Sequence, residues 1–145
     1  MSESNEQPSP AAAPLPPLSV GRRIGSVVAG FFIIFFLSFA TDSLLRGIGV
    51  FPTEGTMSDG LFVLAAVHRA FAGAAGGWLT ARIAPDHPLR HAFVLGLIGT
   101  MMNFAATLAT WNRGPEFGPK WYPLALVALA IPTALAGAKI ARPRA

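Results

Sequence analysis

Asp42, His68, Arg69 and Asn103 are the residues of this 145-residue sequence whose side chains could do chemistry in an apolar setting. Arg69 and His68 stand side by side in Leu61–Ile83 (LFVLAAVHRAFAGAAGGWLTARI), a run otherwise apolar or small. A guanidinium there can pair with a carboxylate, hold an anion or, with an imidazole beside it, line a route for protons. An arginine in the middle of a membrane-crossing helix costs about 2.5–3.5 kcal/mol on insertion scales, so it turns into a bundle and finds a partner. With a rise of about 1.5 Å per residue, Arg69 lies about 12 Å beyond Leu61, and its side chain leans back toward the start of its helix. Asp42, near the end of the first apolar run, lies at a depth that such a side chain reaches. A structural Asp42–Arg69 ion pair is the first expectation, and a path lined by Arg69 is the second. His68 is expected to hydrogen-bond between helices, since a lone imidazole makes no relay.

Asn103 and Thr100, with Gly96 and Gly99, form a face on which helices approach closely and exchange hydrogen bonds. Gly73 and Gly77 make a GxxxG extended by Ala70 and Gly76, and Gly21 and Gly25 make a weaker pair. Such motifs specify contact, not activity, and they leave open whether the partner is the same chain or another.

Other chemistries lack their residues. Without cysteine there is no thiolate ligand or thiol nucleophile, and no paired carboxylates, phosphate-cradling loop or metal-ligand spacing is present. His68 and His91 fall at different depths, which opposes a bis-histidine haem, and His87 reads as a solvated turn residue. The expectation is therefore of a chain that is not an enzyme, with no cofactor and no metal. The net charge of +4 and pI near 10.7 do not point to nucleic acid, because the basic residues are spread singly and in pairs beside apolar segments.

The elements that position these residues are helices across a bilayer. With 52 % hydrophobic residues, 12 % charged residues and a mean hydropathy of +0.51, the chain is too apolar for a soluble domain. Residues 1–19, polar and then rich in Pro and Ala, read as a disordered tail. Four apolar runs follow, at about 24–45, 61–83, 89–111 and 122–140, each of the length that crosses a core of ~30 Å. The fold class is all-α, an integral membrane bundle of four transmembrane helices in residues 20–145. Ser38-Phe39-Ala40 resembles a signal-peptide cleavage site, but the run around it is longer than a signal core of ~7–15 residues and three further spans follow. Asp86 can cap the third helix with Pro88 in its first turn, Pro132 is expected to kink the fourth, and Trp111, Trp121 and Tyr122 read as interfacial anchors.

Lysine and arginine set the orientation. Arg22, Arg23, Arg82, Arg90, Lys139, Arg142 and Arg144 fall on one side, against Arg46, Arg113 and Lys120 on the other, so both termini are expected in the cytoplasm. The stretch from Arg69 through Gly76-Gly77, Ala81-Arg82, Ala84-Pro85, Pro88 and His91-Ala92 to Gly96 resembles a pattern of small bacterial four-span membrane proteins. That resemblance implies a bacterial inner membrane and no particular activity. The chain lacks the first-helix glutamate of small multidrug transporters and the pattern of a fluoride channel. A structural or accessory role is expected, with lipid and another copy or another membrane protein as partners through the glycine faces. A small homo-oligomeric transporter or channel using Arg69, with His68 or Asp42, is the alternative.

Overall fold

The computed structural model describes residues 18–141, and among them there is no strand. Helices α1 (Leu18–Gly47), α2 (Asp59–Ile83), α3 (Pro88–Thr110) and α4 (Trp121–Ala141) are each long and apolar enough to cross a membrane. A single 3₁₀ turn, Pro115–Phe117, stands in the link between α3 and α4. The helix bounds fall close to the expected spans except at the start of α1. Leu18 and Ser19 are already helical although they stand in the segment read as a tail, because the prolines end at Pro17 and nothing from Leu18 to Ile24 breaks a helix. The rest of that tail, with Arg142 and Arg144, lies outside the described residues.

The turn between α2 and α3 departs from the expected cap. His87, not Asp86, is the residue before α3, in the left-handed region (φ 37°, ψ 59°) and without a side-chain cap, and Pro88 opens the helix. Asp86 is drawn away by a charge-assisted bond to Arg23 at 2.6 Å, which is stronger than a cap to a neutral backbone amide. In α4 the helix continues through Pro132, and Thr133 Oγ1 donates to Leu129 O at 2.8 Å in the turn the proline interrupts.

α2 is the central helix. It packs along α1 on one side and α4 on the other, α3 lies chiefly on α4, and α1 and α4 are not packed together. Glycine permits these approaches. Gly77 backs onto the Ala134 carbonyl and Gly137 onto the Ala74 carbonyl, so a Cβ at either would overlap backbone. On the opposite side, Gly30 and Gly76 are so close that a Cβ on each would lie 2.8 Å from the other's carbonyl oxygen. Gly73 faces Thr133, and Gly96 approaches the Ile131 Cα, whereas Gly99 has only ordinary contact with the Ala130 methyl. Gly73, Gly77 and Gly96 are thus occupied by α4 of their own chain, which removes them as faces for a partner. The interior follows the same rule: Ala81, Ala92, Ala138 and Ala141 form a cluster, and Ser26 and Thr80 are fully buried where Thr80 Oγ1 donates to Ser26 O at 3.1 Å. Large side chains point outward, among them Phe32, Phe36, Phe71, Met101 and Leu108, each more than half exposed.

Gly77→Leu and Gly76→Leu are expected to lower the thermal stability of the purified protein by about 1–3 kcal/mol or to abolish its accumulation, as overpacking does. Gly99→Ala is expected to leave the melting temperature in detergent close to that of the wild type. Equal melting temperatures for Gly77→Leu and Gly99→Ala would refute the close approach.

Candidate functional site

The ion pairs of the bundle form two clusters, one toward each end. At the end that carries the α1–α2 and α3–α4 links, Asp42 from the last turns of α1 meets His68 and Arg69 of α2. Arg69 Nη2 donates to Asp42 Oδ2 at 2.7 Å. His68 Nε2 lies 3.1 Å from Asp42 Oδ1 but is not aligned as a hydrogen bond, and its Nδ1 is 3.3 Å from Leu64 O one turn earlier. The hydrogen bond between helices expected of His68 is thus replaced by a polar contact with Asp42. Each ring nitrogen faces an oxygen, and a neutral imidazole has a proton for only one of them. Two further residues close the cluster. The Tyr122 hydroxyl, in the first turn of α4, faces Arg69, and the tyrosine ring packs on Phe62 with centroids 5.0 Å apart. Phe51, 2 % exposed in the loop after α1, lies over His68 with its ring 6.4 Å away. That loop is held by the amides of Val50 and Phe51, which both donate to Leu45 O.

The opposite end repeats the arrangement with different helices. Arg23 Nη2 of α1 pairs with Asp86 Oδ2 at 2.6 Å, and His91 Nε2 of α3 is 3.9 Å from Asp86 Oδ1. His91 Nδ1 is 3.3 Å from His87 O, the same one-turn relation that His68 has with Leu64. Both pairs are only partly buried, Asp42 being 26 % and Asp86 34 % exposed, so each links two elements without sealing a charge away from its surroundings.

Asn103 does not join either cluster. It lies across a cavity of about 110 Å³ whose walls come from all four helices, among them Ser38, Arg69, Gly99, Asn103, Leu126 and Thr133. Arg69 is common to the first cluster and this cavity, and its buried Nε has no hydrogen-bond partner. Among the described residues, no three His, Cys, Asp or Glu side chains converge as a metal site would require. The arrangement can hold α1 against α2 and the α2–α3 turn, and it can present a compensated guanidinium to a small cavity.

Sequence reasoning gave Tyr122, Arg23 and Asp86 other roles and did not place them in polar clusters. Tyr122 stands beside Trp121 and reads as an anchor, and Arg23 and Asp86 are 63 residues apart with no local pattern linking them. No protein-family model matches the chain, and neither the curated proteins nor the solved structures compared with it give a match.

Removing one partner of a charge pair leaves the other uncompensated in a poorly hydrated site. Arg69→Ala and Asp42→Ala are each expected to cost about 1–3 kcal/mol, discounted for partial exposure, and the double variant to recover part of that loss. Thermal melts of all four proteins in one detergent measure the coupling, and strictly additive losses would refute the pair. Arg23→Ala combined with Asp42→Ala is expected to be additive, because those residues share no partner.

Proposed function

We propose that this chain is an integral protein of the bacterial inner membrane, with both termini in the cytoplasm and a structural or accessory role in which it associates with itself or with another membrane protein. Insertion is supported by the inversion of its side chains: small residues line the contacts between helices while phenylalanine, leucine and methionine face outward. In lipid this is the favourable order, because association there depends on close backbone contact and not on burying large apolar groups. The bias of lysine and arginine toward the side of the termini supports the orientation.

The observation that carries the accessory role is the pairing of Arg69 with Asp42 inside one chain at 2.7 Å. A guanidinium used to select a passing ion needs its charge free for that ion, whereas this one is neutralised by the helix that it holds. With Gly73, Gly77 and Gly96 occupied within the chain, association falls to the outward faces. The second reading, a homo-oligomeric transporter or channel using Arg69, is favoured by one feature: the cavity into which Arg69 and Asn103 both face.

Two measurements test these readings. Reporter fusions after Ala145 and beside Glu54 are expected to report opposite sides of the membrane, with Ala145 cytoplasmic; an external Ala145 would overturn the orientation. In liposomes, wild-type protein and Arg69→Ala are expected to be equally tight to protons and small anions, with Arg69→Ala less stable to heat. Flux that Arg69→Ala abolishes at unchanged stability would replace the accessory role with transport.

A further inference from the structure

α1 is the least covered helix of the chain. Only 11 % of its apolar window is buried, against 22 % in α3 and α4 and 33 % in α2. Its inner side carries Ser26 and Gly30, both buried against α2. Its outer side carries Gly21, Gly25, Val28, Phe32, Phe35 and Phe39, all exposed. Their successive spacings are four, three, four, three and four, which splits them into two interleaved rows seven residues apart: 21, 28, 35 and 25, 32, 39. A repeat averaging three and a half residues is the pattern of a seam between two helices wound around each other.

Lipid also covers apolar faces, and two observations favour a helix here. The first is how the chain uses glycine. Gly30, Gly73, Gly76, Gly77, Gly96 and Gly137 stand in helices, and each comes so close to another helix that a Cβ would overlap it, while Gly99 makes ordinary contact; at Gly21 and Gly25, as at Gly47 and Gly60 at the extreme ends of their helices, a Cβ would meet nothing within 4 Å among the described residues. Glycine inside a helix is less favourable than alanine, a cost that contact with an approaching backbone offsets and contact with fluid chains does not. The second is what continues the face beyond the glycines. Phe32, Phe35 and Phe39 are 63–65 % exposed and Val28 45 %, with Ile24 and Phe36 beside them equally open. A regular row of rings next to open glycines can interdigitate with the same row on a facing helix, and such dispersion contact is the attraction that holds helices together in lipid. Phe35 and Phe39 are already stacked within the chain, 6.5 Å apart and 7° from parallel, so less order has to be imposed when a partner arrives.

We propose that the outer face of α1 is covered by α1 of a second copy of this chain, in a parallel dimer whose two-fold axis runs along the membrane normal. The inference rests on the reading of the chain as a self-associating membrane protein, and it specifies the partner and the surface. Two copies inserted in the same orientation bring each seam residue to its own mate at the same depth, as a two-fold contact requires. The seam starts at the glycines, where the helices come closest. It stops at Phe39, because the next position in register is Asp42, which is held by Arg69.

The chain has no cysteine of its own, so single cysteines report contact directly. Val28→Cys, Phe32→Cys, Phe35→Cys and Phe39→Cys, oxidised in native membranes, are expected to give a disulfide-linked dimer. Phe71→Cys and Met101→Cys, on outward positions at least as exposed, are expected to give none. Linking as strong at Phe71 or Met101 as on α1 would overturn the seam. Gly25→Leu supplies a measurement that misfolding does not confuse. It is expected to abolish linking through Phe32→Cys while leaving the melting temperature of the detergent-purified protein unchanged, since the described residues leave the space open. Undiminished linking in Gly25→Leu would also overturn the proposal. Light scattering of the wild type separates the two failures. A dimer that no α1 cysteine links sinks the seam and leaves self-association standing, and a monomer in both lipid nanodiscs and detergent sinks both.

Discussion

Gly73, Gly76 and Gly77 bring the backbone of α2 against two helices at once, and the rest of the structure depends on that double approach. Gly76 opens α2 to Gly30 of α1, while Gly73 and Gly77 open it to Thr133 and Ala134 of α4. A helix turns about 100° per residue, so a glycine at 76 and another at 77 point to different neighbours, and one short sequence serves both sides. Gly137 answers from α4 by backing onto the Ala74 carbonyl, so the α2–α4 contact is made from both surfaces. With backbones this close, dispersion forces and the buried Thr80–Ser26 hydrogen bond hold the middle of the bundle, and no large side chain is needed there.

Charge then acts where the backbones diverge. The Asp42–Arg69 and Arg23–Asp86 pairs stand toward opposite ends of α1, each with a histidine whose Nε2 is turned to the same carboxylate and whose Nδ1 faces a carbonyl one turn earlier. α1 is the helix with least burial, so pairs at its two ends do for it what extensive contact with α2 and α3 does for α4. Partial exposure makes each pair a modest fastening, whose loss is more costly than its formation is favourable. The cavity beside Arg69 follows from the same layout, because α1 and α4 lie on different sides of α2 and leave space between them.

The outer surface completes this arrangement. Glycines in the body of the bundle are spent on internal contacts, so they cannot serve a partner, whereas α1 keeps both a pair of glycines that no described residue covers and a row of aromatic rings. An accessory membrane protein needs a surface of this kind more than it needs a free intramembrane charge. That is why the paired state of Arg69 and the open face of α1 support the same reading.

Class and helix count were legible in the order of residues alone. Hydropathy runs of the right length between Gly- and Pro-rich links specify four helices, because those signals are local and repeat along the chain. Asp42 and Arg69 were also legible as partners, since an unpaired charge in an apolar run is costly and helical rise restricts the depths at which a partner can stand. Tertiary structure decided the rest. It set which helix each glycine meets, as a GxxxG records that a backbone approaches but not from where. It turned Asp86 from a cap into the partner of Arg23, and it brought Tyr122 and Phe51 over the Arg69 cluster from distant elements. These outcomes depend on how the helices rotate and which stand side by side, and no spacing within one helix encodes that. Close packing between helices selects a single arrangement only when all four are in place.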